Sequence, residues 1–139
     1  MAYVERFGVS MEKDLLTRFD SLIEERGYQS RSEAIRDLVR KELVDEEWHK
    51  PDAEVVGTLT IVYEHHEHEL SNVLTELQHE HHQHIICSTH IHLDPHNCLE
   101  VIVLRGESSR IKYIANTLIS TRGVKHGRLV STTTGKEVT

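Results

Sequence analysis

Cysteine is scarce: Cys87 and Cys98 are the two thiols of a 139-residue chain, too few for a disulfide framework to hold the fold. In a reducing compartment such thiols serve as metal ligands or sit buried and free. Long apolar runs are missing too. No stretch reaches the roughly 20 apolar residues that span a bilayer, and the opening MAYVERFGVS lacks the apolar core of a signal peptide, so a cytoplasmic protein is expected. Basic charge is in deficit. A formal net charge of −7 repels polyanions at long range and argues against a nonspecific nucleic-acid coat; any DNA contact has to be local. No glycine-rich phosphate loop and no nucleophile–base spacing stands in the sequence, so nothing points to an enzyme.

Histidine, by contrast, is abundant. Twelve are present, most of them between His65 and His96. Such a biased segment binds metal in some proteins and is a passive solvated tract in others.

The residues before Pro51 predict a small βαα lobe over 1–50. VERFGVSM alternates, with Phe7, Val9 and Met11 on one face of a short strand and Arg6, Gly8 and Ser10 on the other. Leu15, Phe19, Leu22 and Ile23 follow at helical spacing, and Gly27 suits the left-handed position past a helix end. Ser30 and Glu33 have capping-box spacing, after which Ala34, Ile35, Leu38, Val39 and Leu43 share one face of a second helix, and the charged DEEWHKPD closes the lobe. One strand and two helices bury too little surface to offset their ordering entropy. Dimerisation is therefore expected, and an antiparallel pair of such strands makes a ribbon that fits the DNA major groove. A plain dimerisation module is the alternative.

Residues 51–139 predict strands at EVVGTLTIVYEH, IICSTHIHL, CLEVIVLRG and VKHGRLVSTT, with helices at HELSNVLTELQHEH and SSRIKYIANTLISTRG. That order, βαββαβ, is the ferredoxin-like α+β arrangement, with both helices on one face of an antiparallel sheet. Leu70, Val73, Leu74 and Leu77 form the first helical stripe, and Ile111, Ile114, Ala115 and Leu118 the second. Asp94, Pro95 and His96 mark a turn. If Leu93 faces Asn97 across a tight hairpin, His92 lies opposite Cys98 and His90 opposite Glu100, all on one sheet face, with Cys87 on the other. Two imidazoles and a thiolate are most of a transition-metal shell and need one more ligand. His79, His81, His82 and His84 are the nearby supply. A square-planar frame of this kind suits nickel or copper, a tetrahedral one zinc. Glu100, facing His90, is a candidate for orienting the ring from behind.

RFGVSMEKDLLTRFDSLIEERGYQSRSEAIRDLVR resembles the ribbon-helix-helix domain of the nickel-responsive repressors (NikR), and the spacing of His79, His90, His92 and Cys98 is similar to that family's metal ligands. The resemblance implies one Ni(II) per subunit, with His79 contributed by a neighbouring chain, in a homotetramer built as a dimer of dimers. It also implies that Arg6, Gly8 and Ser10 face the bases of a palindromic operator while Ser30, Arg31 and Ser32 approach phosphate; for Ser10, a plain helix cap is the competing role. Glu33 and Asp37, with carbonyls of Ile119, Thr121 and Val124, are implied as an interdomain site for an additional hard cation, against a simple acidic helix face. His65, His66 and His68, at a strand-to-helix passage, are expected to be solvated, with weaker surface metal sites as the alternative. The function expected is metal-dependent repression of nickel uptake. The rival is a His-rich storage or delivery protein that never meets DNA.

Overall fold

In the computed structural model, which describes residues 3–66 and 68–139, helix α1 runs Lys13–Glu25. Its end follows from Gly27, whose φ of 82° is open to a residue without Cβ. The Gly27 N–H donates to the Glu24 carbonyl and the Tyr28 N–H to that of Ile23, the paired bonds of a Schellman stop. Helix α2 runs Arg31–His49. Ser30 starts it: its hydroxyl accepts the Glu33 N–H at 3.2 Å, while the Glu33 carboxylate accepts the Gln29 N–H at 3.3 Å.

Within the charged DEEWHKPD, Asp45–His49 continues α2 and Trp48 is buried, its Nε1 donating to the Thr132 carbonyl at 2.8 Å. The ring fills a core, which outweighs the charges on either side of it. Residues 3–12 form no strand within one chain. A strand needs a second row of backbone groups to bond, and a single chain supplies none there; Phe7 is 75% and Val9 60% exposed.

The remaining elements are β1 Glu54–Glu64, α3 His68–Glu80, β2 Ile85–His92, β3 Asn97–Glu107, α4 Ser108–Ile119 and β4 Val124–Thr132. They form one four-stranded sheet in the order β2-β3-β1-β4, antiparallel throughout. Burial in β1 alternates, with Val55, Leu59, Ile61 and Tyr63 inward, as strand periodicity requires. Against that face pack Leu70 and Leu74 of α3 and Ile111, Ile114, Ala115 and Leu118 of α4, joined by Trp48. Val73 departs from its expected stripe and is exposed.

By its contacts the chain divides into two units, Met1–Val39 and Arg40–Thr139, the division falling inside α2. The first buries little apolar surface among its described residues, chiefly Ile23 and Ala34; the second holds the core just described. No helix among the described residues is long and apolar enough to cross a membrane.

Candidate metal centre

The β2–β3 turn is fixed by Asp94. Its carboxylate accepts the backbone N–H groups of His96 and Asn97, each at 2.7 Å, and the Asn97 side-chain amide. The amide bond first, then the two backbone donors, pull its pKa down to about 2. With the turn set, the Leu93 N–H donates to the Asn97 carbonyl, His92 pairs with Cys98 and His90 with Glu100. The expected register is the observed one, and Cys87 pairs with Val103 on the opposite parity.

Cys98 lies under this edge of the sheet, fully buried. Burial, then the charges of Asp94 and Glu100, pushes its thiol up, so a cation there displaces a proton. His92 Nδ1 is 3.5 Å from its Sγ. A third histidine arrives from an unexpected place: His65, just past β1, sets its Nδ1 3.2 Å from the same sulfur. Donor atoms of His65, His90, His92 and Cys98 all lie within 4.8 Å of one another. Of the two expectations for His65, a solvated ring or a weaker metal site, the geometry favours a place among the candidate ligands, with the ring still exposed. Its signal in the sequence was its place two residues past inward-facing Tyr63, and in the structure the His65 N–H donates to the His96 carbonyl, tying the turn after β1 to the β2–β3 turn.

Behind His90 stands a bonded group. Tyr63, facing Cys98 across β1–β3, donates its hydroxyl to Glu100 Oε1 at 3.2 Å and lies 3.1 Å from His90 Nδ1. Glu100 Oε1 is itself 3.6 Å from that nitrogen, and Gln78 of α3 donates to Glu100 Oε2. Burial, and then the Glu100 charge, raises the Tyr63 pKa, keeping the phenol protonated. With Nδ1 occupied in this way, Nε2 of His90 is left for a ligand role. Sequence reasoning placed Glu100 here and missed Tyr63, which only the β1–β3 register reveals. Three imidazoles and one thiol make a donor set suited to a late first-row divalent ion.

The other expected residues are placed as follows. His79 sits on the last turn of α3 outside the four-residue group. His82 Nδ1 contacts the His79 carbonyl at 3.0 Å, His81 meets the edge of the Tyr113 ring, and the His84 ring lies against Gly106, where an added Cβ would fall 2.6 Å from Nδ1. His66 packs edge-on to His96. The His68 side chain lies outside the described residues. Arg6, Gly8 and Ser10 are exposed on the 3–12 segment. Ser10 does not cap α1; Glu12 holds that position, without a side-chain bond. Ser30 is committed to capping α2, and the Arg31 guanidinium makes two 2.8 Å bonds to Asp20, next to an exposed Ser32. Of the residues expected at a second cation, Glu33 and Asp37 belong to the first unit, where Asp37 accepts the Tyr28 hydroxyl at 2.8 Å. Ile119, Thr121 and Val124 belong to the second, where the Thr121 carbonyl accepts the Val124 N–H.

Comparison with known proteins places these units. Residues 56–132 match the family described as "NikR C terminal nickel binding domain", and residues 5–46 match "Ribbon-helix-helix protein, copG family". Proteins named "Putative nickel-responsive regulator" from Nitratidesulfovibrio vulgaris and Geobacter sulfurreducens are each 58% identical over 96% of both chains; one from Thermococcus onnurineus is 56% identical over 97% of this chain and 98% of its own. Among solved structures, an uncharacterized protein from Thermotoga maritima is similar in fold, with a TM-score of 0.50 and 21% identity over 56% of this chain and 96% of its own.

Proposed function

Since this chain belongs to the NikR family of nickel-responsive regulators, with a ribbon-helix-helix domain ahead of a nickel-binding one, we propose that it represses nickel uptake by binding operator DNA when nickel is bound. The observation that carries the reading is the convergence of His90, His92 and buried Cys98 at one sheet edge, beside an α3 end whose His79 is exposed and uncommitted to that cluster. His90, His92 and Cys98 of one subunit, with His79 of its neighbour, hold one nickel ion, and the bound ion supplies a link between chains. Tyr63 and Glu100 hold the His90 ring in its ligating orientation. Residues 1–50 act as the DNA-binding domain and 51–139 as the metal-binding and tetramer-forming domain.

In the N-terminal half, two copies pair residues 3–12 as an antiparallel ribbon, which covers the exposed Phe7 and Val9 and turns Arg6, Gly8 and Ser10 to the bases. Arg6 brings the guanine-reading group, worth about 1–3 kcal/mol of discrimination. Ser30, Arg31 and Ser32 lie at the α2 N-terminus, a position that suits phosphate. Acidic residues outnumber basic ones over 1–48, so counterion release alone does not hold the domain on DNA. Nickel therefore acts on arrangement: it favours the state in which two ribbons reach both half-sites together, by a coupling of about 1–3 kcal/mol.

The test is a gel shift of promoter DNA with and without stoichiometric nickel at stated salt, for wild type and for Cys98→Ala and His90→Ala. Both variants are expected to lose tight nickel binding and nickel-dependent retardation while staying oligomeric. A variant responding at the wild-type nickel concentration refutes the site.

A further inference from the structure

The second half of α2 is held by the residues that follow β4. Because the division between the units falls inside α2, Arg40–His49 belongs to the metal-binding unit, while the same helix begins in the other one. We propose that residues 132–139 are a positioning strap that seats Arg40–His49 on the sheet. The effect of nickel on operator binding depends on that seat, a consequence that rests on the regulatory reading although the strap itself does not.

Burial alone does not fix this half of the helix. Trp48 sinks one ring into the core and Val44 packs against it, whereas Leu43 stays exposed. A helix anchored through one ring can pivot about it, so a second fixed point far along the axis is needed. The residues after β4 supply it. At the near end the Thr132 carbonyl accepts the Trp48 Nε1–H at 2.8 Å, and the Thr133 hydroxyl donates to the Glu47 carboxylate at 3.1 Å while accepting the Gly135 N–H, also at 3.1 Å. The chain turns at Gly135, whose φ of 82° suits a residue without Cβ. Lys136 Nζ then stands 3.6 Å from the Glu54 carboxylate at the start of β1. At the far end Arg40 Nε donates to the Thr139 carbonyl at 2.8 Å. Arg40 and Trp48 lie about 12 Å apart along the axis, a lever that resists the pivot.

The turn out of α2 is closed as well. Lys112 Nζ donates to the Trp48 carbonyl at 2.7 Å, and the Ser108 N–H to the Ala53 carbonyl at 2.9 Å. With little slack there, the strap decides how firmly α2 is seated. Between its ends it leaves a cleft of about 480 Å³, walled by Leu43, Glu46 and Lys50 on one side and Thr134 and Glu137 on the other. A few hydrogen bonds hold it rather than burial, so it can be released without opening the core. It also leaves from β4, the sheet edge opposite β2, far from the candidate metal ligands. An ion can bias the DNA-binding half only through parts whose positions are fixed to its own site; a loosely seated helix averages that bias away.

The experiment compares the full chain with one ended after Thr132, which keeps the Trp48 acceptor, and with Thr133→Val and Thr133→Ser. Nickel affinity is read without DNA, operator affinity with nickel and with chelator, and hydrogen exchange at the Arg40–His49 amides. The shortened chain and Thr133→Val are expected to bind nickel within about twofold of wild type and to exchange those amides faster. Both should lose about tenfold of the nickel-induced gain in operator affinity, whereas Thr133→Ser, which keeps the hydroxyl, should match wild type. A gain that survives in the shortened chain overturns the proposal. So does a nickel affinity that falls along with it, since the strap would then serve the fold of the metal site. Should the shortened chain fail to fold, equal gains in Thr133→Val and Thr133→Ser overturn it. A wild type whose operator binding ignores nickel overturns the regulatory reading instead; exchange then judges the strap by itself, and protection unchanged in the shortened chain or in Thr133→Val refutes it.

Discussion

The Tyr63 hydroxyl is the smallest group bonded into the candidate metal centre. It lies between His90 Nδ1 and Glu100 Oε1, at 3.1 and 3.2 Å, and its ring is part of the core. Tyr63→Phe keeps the ring and deletes the bridge. Metal affinity is expected to fall about 10-fold, toward the lower end of losses seen when a ligand's orienting partner is removed, with the melting temperature little changed; chelator competition and circular dichroism read the two. An unchanged affinity would mean that Glu100 orients the ring unaided. At Arg31 the relevant contact is with Asp20, whose carboxyl is held below the usual carboxylate range first by the guanidinium hydrogen bond. Because the folded value is depressed, this pair contributes above the unfolded pKa near 4 and is lost as pH falls through the folded one. Thermal melts of wild type and Asp20→Asn should therefore differ at pH 6 in low salt, less so in high salt since the pair is exposed, and converge in acid as pH falls below the ordinary carboxylate range.

Among the elements, α2 carries the clearest energetic weight at one residue. Its charged last turns would make a solvated helix end, were it not for Trp48, which sits 4% exposed in the sheet core and donates to the backbone of β4. Trp48→Ala removes a large buried ring and leaves the Thr132 carbonyl without that donor. A loss of about 3–5 kcal/mol is expected in denaturant titration. A loss under 1 kcal/mol would show that the ring is dispensable to the core. The β2–β3 hairpin works differently: β2 is exposed along most of its length, so it contributes register more than burial. Asp94 sets that register, and through it the facing of His92 and Cys98.

At the scale of the whole molecule, the two units differ in how much they bury. Arg40–Thr139 owns a continuous core, whereas Met1–Val39 leaves Phe7, Val9, Leu15 and Leu38 exposed. So small a unit with so much apolar surface needs a cover. Phe7→Asp is therefore expected to weaken association of the N-terminal halves and abolish operator binding, while nickel affinity stays within about twofold because the proposed metal ligands lie in the other unit. Sedimentation and equilibrium dialysis separate these effects. Nickel binding that collapses with Phe7→Asp would contradict the independence of the units.

Local patterning determined much of this. Alternation gave β1, helical spacing gave α1, α3 and α4, and the turn at Asp94 together with period-two geometry gave the pairing of His92 with Cys98, because each of these depends on residues close in the chain. Three features came only from tertiary structure. His65 enters the cluster because the end of β1 bonds to a turn 31 residues later; Tyr63 reaches His90 because β1 pairs with β3; and Trp48 is buried because a core from distant strands covers it. Long-range pairing is set by the sum of many burial energies, which no short window of sequence contains.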